Sequence, residues 1–364
     1  MATDNITLSP DPPKLVNGVI RMILASESSR FHGKTLADYP TLVDFIERHA
    51  GSADTSQEAM RSFVAGFVEE FNKLGIYSHG SYETCYDSEY FSDKKVIQSL
   101  FADTEITDTG NVERNKTIIK QRLAIIDNFY STNANGAGRM FVIDGLAQAI
   151  CSLGTDKQLA ARAKAVANKA LDADAGINEL FDGKYGYSLG DAKGSGAAHC
   201  TSLISKYLFF LVDGRDDDAH GFPIYDRYAR ENAAALAYML GFKQYKKKIE
   251  DMAQHIDAIK SIINELQQCD PELWTSQNPF NTQCDLLDHI IWRIGKIKNN
   301  SVSLLVREAD LKQGSKARKP LAALIKSPKR AKGITLGDIA KLLVDNLVRI
   351  PFDLLILYIA SLIF

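Results

Sequence analysis

The chain has 364 residues, of which 45% are apolar and 24% are charged, the balance of a folded globular protein. This composition excludes wholesale disorder, a collagen-like repeat and a disulfide scaffold, and the net charge of -2 argues against a dedicated nucleic-acid binder. The charge is nevertheless uneven, because residues 290–350 contain fourteen Lys/Arg and four Asp/Glu, a net of +10. The remainder of the chain therefore carries -12.

Neither the cysteines nor any short motif indicates a metal site or a cofactor. The five cysteines are scattered and never form a CxxC pair, which predicts free thiols in a reducing cytosol. The sequence contains no Walker A, HExxH, GxSxG or dinucleotide-binding motif. Residues 1–14 hold acidic residues and three prolines where a signal peptide has a basic start and an apolar core, so we expect a cytoplasmic protein.

Apolar residues recur at helical spacing along most of the chain, with few alternating β-branched runs, which predicts a mostly α fold. The predicted helices are, in chain order, 15–25, 39–49, 56–74, 115–130, 139–151, 157–173, 201–212, 225–240, 244–268 and 281–298. Residues 76–91 are predicted to be irregular or short-stranded, and 104–110 to be a loop. The predicted domains are an N-terminal helical or irregular extension (1–111), a multi-helix domain (112–298), a basic linker (299–334) and an apolar C-terminal helix (335–364).

The apolar C-terminal segment allows several interpretations. Its last fifteen residues contain one charge, Asp353, and are shorter than the ~20 apolar residues that span a bilayer. The pattern favours a helix that docks on the protein itself or on a protein partner. A membrane-associated tail and a dimerisation helix are the alternatives.

Lys206 and Asp226 form the pattern that carries chemistry. Lys206 lies in the strongly apolar helix 201–212, where desolvation favours a neutral, nucleophilic amine. Asp226 follows Phe222-Pro223-Ile224-Tyr225 at the N-cap of the next predicted helix, where backbone N–H groups hold an ionised carboxylate. Cleavage of an N-glycosidic bond needs such a pair, an amine to capture C1′ as a Schiff base and a carboxylate to stabilise the cationic sugar. The alternatives are a lysine whose amine reaches solvent and an aspartate that only caps its helix.

This pair and three further segments resemble the helix-hairpin-helix DNA glycosylase superfamily, in its bacterial 8-oxoguanine DNA glycosylase (OGG-fold) branch. The family's lysine and aspartate match Ser205-Lys206 and Phe222-Pro223-Ile224-Tyr225-Asp226. The further segments are Asn128-Phe129-Tyr130-Ser131-Thr132-Asn133, Asp144-Gly145-Leu146 and Asp288-His289-Ile290-Ile291-Trp292-Arg293-Ile294-Gly295-Lys296. The resemblance covers residues 112–298 and implies an OGG-like helical glycosylase domain.

The resemblance also implies a set of binding residues. His199, Phe129 and Trp292 become candidates for contact with a flipped nucleobase, although the two aromatic residues equally suit a core. The family's Gly-x-Gly hairpin, which holds a DNA phosphate, is replaced by His199-Cys200-Thr201-Ser202-Leu203-Ile204 without a glycine. A helix N-terminus capped by Thr201 or Ser202 would then be the phosphate site.

The function implied is a DNA N-glycosylase with AP-lyase activity, acting on a modified or flipped-out nucleobase in duplex or single-stranded DNA. OGG-fold proteins of this kind also occur in bacterial anti-phage operons, including cyclic-oligonucleotide (CBASS-type) systems, which implies a role in antiviral defence. The alternative is a catalytically degenerate OGG-fold subunit that recognises a modified base, a nucleotide or a protein partner within a defence complex. The missing hairpin glycines and the acidic body favour that alternative.

Overall fold

A computed structural model gives the fold of the chain. It describes residues 11–27, 29–31, 33–75, 89–130, 139–140, 142–188, 200–213, 220–245, 249–275, 280–296, 335–348 and 351–363. The predicted basic linker (299–334) and most of the predicted irregular region (76–91) lie outside these residues.

Helices form nearly all of the regular structure in the described residues, so the prediction of a mostly α fold is confirmed. The first eight are Pro12–Ala25 (α1), Pro40–Glu47 (α2), Gln57–Lys73 (α3), Glu89–Asp103 (α4), Val112–Tyr130 (α5), Val142–Cys151 (α6), Asp156–Asn168 (α7) and Ala175–Asp182 (α8). The others are Thr201–Val212 (α9), Arg227–Met239 (α10), Met252–Cys269 (α11), Pro271–Thr275 (α12), Gln283–Lys296 (α13), Leu336–Val344 (α14) and Phe352–Ser361 (α15). Two short strands, Arg139–Met140 (β1) and Tyr187–Ser188 (β2), pair antiparallel.

Capping residues set several helix ends that differ from the predicted ones. The helix predicted to begin at residue 244 begins at Met252, because Asp251 accepts the N–H of Gln254 at 2.8 Å as an N-cap. The helix predicted over 157–173 ends at Asn168 and is followed by a 3-10 turn, Leu171–Ala173. Helix α3 ends as predicted before Gly75, whose φ of 61° is the left-handed conformation that glycine adopts most easily.

Helix α4 was not predicted beyond the irregular region, and a buried lysine explains why. The buried side chains in its described part are Lys94, Ile97 and Phe101, which recur at helical spacing. A charged residue at one of these positions interrupts the apolar pattern that identifies an amphipathic helix. Lys94 therefore anchors α4 in the structure and, in the sequence, breaks the apolar periodicity by which the helix would have been predicted.

Helix α1 lies at the centre of the molecule and packs against α3, α11, α13 and α15. Its side chains from Leu15 to Ala25 are nearly all buried. Asn17 donates to the carbonyl oxygen of Leu266 (3.0 Å) and accepts from the indole N–H of Trp274 (2.9 Å). The N-terminal segment and the segment 112–298 thus bury apolar surface against each other.

The prediction of a single C-terminal helix over 335–364 is wrong, because two helices occupy this segment. Pro351 lies at the N-cap of α15, since proline cannot continue a helix interior. Helix α14 packs against α2, and α15 packs against α1 and α13. The interpretation that this segment docks on the protein itself is thereby confirmed.

The described side chains of α15 and of the two residues that follow it are buried almost throughout. Contact of this helix with a protein partner or a membrane remains a prediction, and it would have to use side chains that the fold already covers. Within the described residues, none of the helices has both the length and the apolar character required to cross a bilayer.

Candidate active site

Helix α9 places Lys206 inside the molecule. Its side chains from Leu203 to Val212 are all buried, and the helix packs against α4, α5 and α7. Lys206 is 2% exposed, so the interpretation of a lysine whose amine reaches solvent does not hold. The ammonium group lies 5.4 Å from the centre of the Tyr130 ring, within range of a cation–π contact.

Asp226 lies at the N-cap of α10, as predicted, and also contacts the lysine. Its Oδ1 accepts the backbone N–H of Ala229 at 2.9 Å. Its Oδ2 accepts from Nζ of Lys206 at 3.2 Å, and Nζ also donates to Oγ of Ser202 at 2.9 Å. The structure therefore brings together the two residues, twenty positions apart, that the sequence pattern selected for chemistry.

The segment before Asp226 is held on three sides by hydrogen bonds. The N–H of Tyr225 donates to Oγ of Ser205 at 2.9 Å, and the Tyr225 hydroxyl donates to the carbonyl oxygen of Glu250 at 3.0 Å. Nε2 of His255 lies 2.8 Å from the carbonyl oxygen of Ile224, so this nitrogen carries the proton and donates. Because Ser205 precedes Lys206 and Tyr225 precedes Asp226, the first of these bonds sets how α9 and α10 present the pair.

Lys206 and Asp226 line a cavity of about 250 Å³, together with a third ionisable side chain and several aromatic and apolar ones. The lining residues are Phe129, Tyr130, Lys206, Ile224, Asp226, Tyr228, Ala229, Asp288, Ile291 and Trp292. Helices α10 and α13 meet closely beside it, since a Cβ on Gly295 would lie 2.8 Å from the Tyr228 ring. A water occupies ~30 Å³ in the liquid, so the cavity is several times larger than a single water site.

Asp288 is a cavity residue that the pattern of Lys206 and Asp226 did not reveal. It lies on α13, three and four positions before the other α13 side chains of the cavity, Ile291 and Trp292. Its side chain is half-buried, and this desolvation together with the neighbouring Asp226 carboxylate raises its pKa well above the ordinary value, although Lys206 opposes the shift. The signal available in the sequence was its position inside the α13 segment that carries the family resemblance.

A second buried lysine, Lys94 of α4, anchors that helix beside the site. Its Nζ contacts Oδ2 of Asp285 and lies 3.3 Å from Oδ2 of Asp213, which also accepts from Gln98 at 2.7 Å. Burial lowers the pKa of Lys94, but Asp285 and Asp213 outweigh that effect and raise it. Burial raises the pKa of Asp285, against the opposing charge of Lys94. We name Lys94, Asp213 and Asp285 the Lys94 cluster.

The predicted binding residues fall into three groups. Phe129, which is 36% exposed, and the half-buried Trp292 both line the cavity rather than the core. Thr201 and Ser202 are not the cap of α9, because the N-cap is Cys200 and Oγ of Ser202 contacts Lys206. His199 lies outside the described residues, and phosphate binding at Thr201 and Ser202 remains a prediction.

Among the described residues, no group of three His, Cys, Asp or Glu side chains is arranged to hold a metal ion. Comparison of the chain with protein-family models, with curated proteins and with solved structures gave no match.

Proposed function

We propose that this protein is a DNA N-glycosylase with AP-lyase activity, which acts on a modified or flipped-out nucleobase. The observation that carries the proposal is the 3.2 Å contact between Lys206 and Asp226 inside an aromatic cavity. Covalent cleavage of an N-glycosidic bond requires a nucleophilic amine and a nearby carboxylate, and here a buried amine lies beside a carboxylate that caps a helix.

In the proposed reaction, Nζ of Lys206 releases a proton to solvent water and, as the neutral amine, attacks C1′ of the flipped nucleotide. Asp226 lies 3.2 Å from that amine and keeps its negative charge, which stabilises the oxocarbenium character that develops on the sugar. The bond from C1′ to the base breaks, the sugar ring opens to a Schiff base on Lys206, and β-elimination then nicks the strand.

The cavity walls support a nucleobase as the group that enters. Phe129 and Trp292 present aromatic rings, and base–aromatic stacking contributes about 1–3 kcal/mol per base. Phe129 is the more exposed of the two, so in this proposal it is the ring that an entering base meets first. Stacking accepts any base, so selection among bases rests on the polar groups of the cavity.

We further assign residues 112–298 to an OGG-like glycosylase domain and DNA, modified or single-stranded, as the partner. The fourteen basic residues of 290–350 are the part of the sequence suited to phosphate contacts. A role in bacterial anti-phage defence, in the cytoplasm, is proposed on the family resemblance of the Lys206 and Asp226 segments.

The test is borohydride trapping with two oligonucleotides, one carrying 8-oxoguanine and one carrying an abasic site. We expect a covalent adduct with the wild type, none with Lys206→Gln, and slower base release with Asp226→Asn. Lys260→Gln is the matched control, since its amine donates to the carbonyl oxygen of Lys169 on the surface and does not line the cavity. No adduct in the wild type, or equal trapping by Lys206→Gln, contradicts the proposal.

A second candidate function is recognition without catalysis, by a degenerate OGG-fold scaffold subunit of a defence complex. It is favoured by the hydrogen bonds that Nζ of Lys206 already donates to Ser202 and Asp226, and by the missing hairpin glycines. Its expected result is binding of the 8-oxoguanine oligonucleotide, followed by fluorescence anisotropy, with no adduct. Trapping that depends on Lys206 contradicts it.

A further inference from the structure

Among the described residues, two carboxyl groups line the cavity, and hydrogen-bond donors from those residues occupy only one of them. Asp226 accepts the Ala229 N–H on one oxygen and the Lys206 ammonium on the other. Both oxygens of Asp226 thus act as hydrogen-bond acceptors in this arrangement, so neither is placed to donate a proton. A leaving nucleobase must take its proton from another group.

Asp288 is the other carboxyl group of the cavity, and it comes from a third element. Lys206 lies on α9, Asp226 at the start of α10 and Asp288 on α13, so the three side chains enter the cavity from separate helices. Asp288 shares its helix face with Ile291 and Trp292. Two of its cavity neighbours are thus an apolar side chain and an aromatic ring that would stack on a base.

The charges around Asp288 disfavour a second carboxylate there. Lys206 and Asp226 neutralise each other, and the Lys94 cluster contains one lysine for two aspartates. Burial and the Asp226 charge raise the pKa of Asp288 well above the ordinary value. A carboxyl group whose surroundings raise its pKa can keep the proton that a general acid must donate.

We propose that Asp288 is a catalytic residue of this site, the general acid that protonates the nucleobase as it leaves. The inference rests on the proposed glycosylase function. Nζ of Lys206, as the neutral amine, forms the bond to C1′ while the bond from C1′ to the base nitrogen breaks. The electron pair of that bond goes to the base, which takes the proton of Asp288, so the products are a protonated base, the Asp288 carboxylate and a positively charged amine on C1′.

This role also defines the class of base that the site accepts. A neutral carboxyl group donates one hydrogen bond, so the base must offer an acceptor, a ring nitrogen or a carbonyl oxygen, toward α13. Protonation there makes the base a better leaving group. General acids in enzymes typically contribute 10²–10⁴-fold to the rate.

The experiment separates base release from Schiff-base formation, using Asp288→Asn in the full chain. Asparagine keeps the size and a hydrogen-bond donor but has no proton to transfer. We expect base release, from a panel of oligonucleotides each carrying one modified base, to slow by about 100-fold or more. Trapping on the abasic oligonucleotide should persist in the variant, because that substrate has no base to protonate, and it also reports an intact fold.

The pH profile gives a second readout. The charged and titratable groups that face Asp288 are Asp226, Lys206, Asp285, Lys94, Tyr130 and Tyr228. In the wild type, base release should fall as the pH rises and Asp288 loses its proton, and this limb should be absent in Asp288→Asn. The control is Glu231→Gln, an exposed acid on α10 that pairs with Arg227 and lies outside the cavity.

Each outcome decides one claim. Base release at the wild-type rate in Asp288→Asn overturns the role of Asp288 and leaves the glycosylase proposal standing. If the wild type releases no base from any oligonucleotide of the panel, both the glycosylase function and the role of Asp288 are overturned. Trapping on the abasic oligonucleotide would then show that the protein is a lyase only. If Asp288→Asn also loses abasic trapping, Asp288→Ser repeats the test, and loss in both variants shows a structural role instead of an acid.

Discussion

The residues that precede Lys206 and Asp226 in the chain set the 3.2 Å distance between the two side chains. The bond from the Tyr225 N–H to Ser205 joins α9 to the segment before α10, and the lysine and the aspartate follow directly. His255 holds the same segment from the other side through the carbonyl oxygen of Ile224. Positioning of the pair is therefore a property of buried backbone hydrogen bonds as much as of the ion pair itself.

At the residue scale, His255 should make the stability of the protein depend on pH. Burial lowers its pKa to about 4, so the contribution is complete above the unfolded value of 6.5 and is lost as the pH falls through about 4. The loss amounts to roughly 3 kcal/mol in the free energy of unfolding. In His255→Gln, which keeps a donor for Ile224, we expect this part of the pH dependence to disappear.

Urea unfolding followed by circular dichroism between pH 7 and pH 4 measures this effect. His49→Gln is the control, at a partly exposed histidine whose ring also bonds a backbone carbonyl, that of Phe45. The prediction is contradicted if the free energy of unfolding changes with pH by the same amount in the wild type and in His255→Gln.

At the scale of elements, helix α4 depends on a charge that lies inside the protein. Lys94 reaches from α4 to Asp213 at the end of α9 and to Asp285 on α13. Helices α9 and α13 carry Lys206 and Asp288, so α4 supports the cavity by holding both of these helices through Lys94. Removing one member of a buried ionic group leaves uncompensated charge, which costs more than the intact group contributes.

Lys94→Met should accordingly destabilise the protein by about 3–5 kcal/mol, because two buried carboxylates lose their cation. Asp285→Asn added to this variant should recover part of the loss. The neighbour Lys95 is exposed, and Lys95→Met is the matched control, with a change within about 0.5 kcal/mol. Chemical denaturation measures all three variants, and equal stability of Lys94→Met and Lys95→Met would rule out the proposed role of the cluster.

At the scale of the whole molecule, the two ends of the described chain share one core. Helix α15 packs against α1 and α13, and Phe352 packs on Phe31 with ring centres 5.0 Å apart. Burial of α15 gives its apolar side chains a structural role in the folded chain. The same helix touches α13, which carries Asp288, so the C-terminal segment contributes to the support of the cavity.

Ile356→Ala, in the middle of α15, should cost about 2–5 kcal/mol in the free energy of unfolding, because it removes a fully buried side chain and leaves a cavity. Val348→Ala, at a residue that is 72% exposed, is the control and should change stability little. Thermal denaturation measures both. If Ile356→Ala unfolds at the wild-type temperature, α15 does not belong to the core.

The helical class, the N-cap at Asp226 and the choice of Lys206 were accessible from the sequence by itself, because they depend on local patterns. Helical periodicity and capping depend on only a few neighbouring residues. The apolar neighbours of Lys206 in the sequence indicated that its side chain would be buried. The Gly75 helix end followed for the same reason, since the left-handed conformation is a property of one residue.

Tertiary structure alone decided which surfaces meet. Helix α4 was not predicted because the partners that allow Lys94 to be buried, Asp213 and Asp285, lie more than a hundred positions away. No local sequence pattern contains those partners. Asp288 joined the cavity because α13 crosses beside α10, where Gly295 permits the close approach. The apolar C-terminal segment suited a membrane, a partner or a core equally well in sequence, and packing against α1 selected the core because burial depends on which neighbours cover a face.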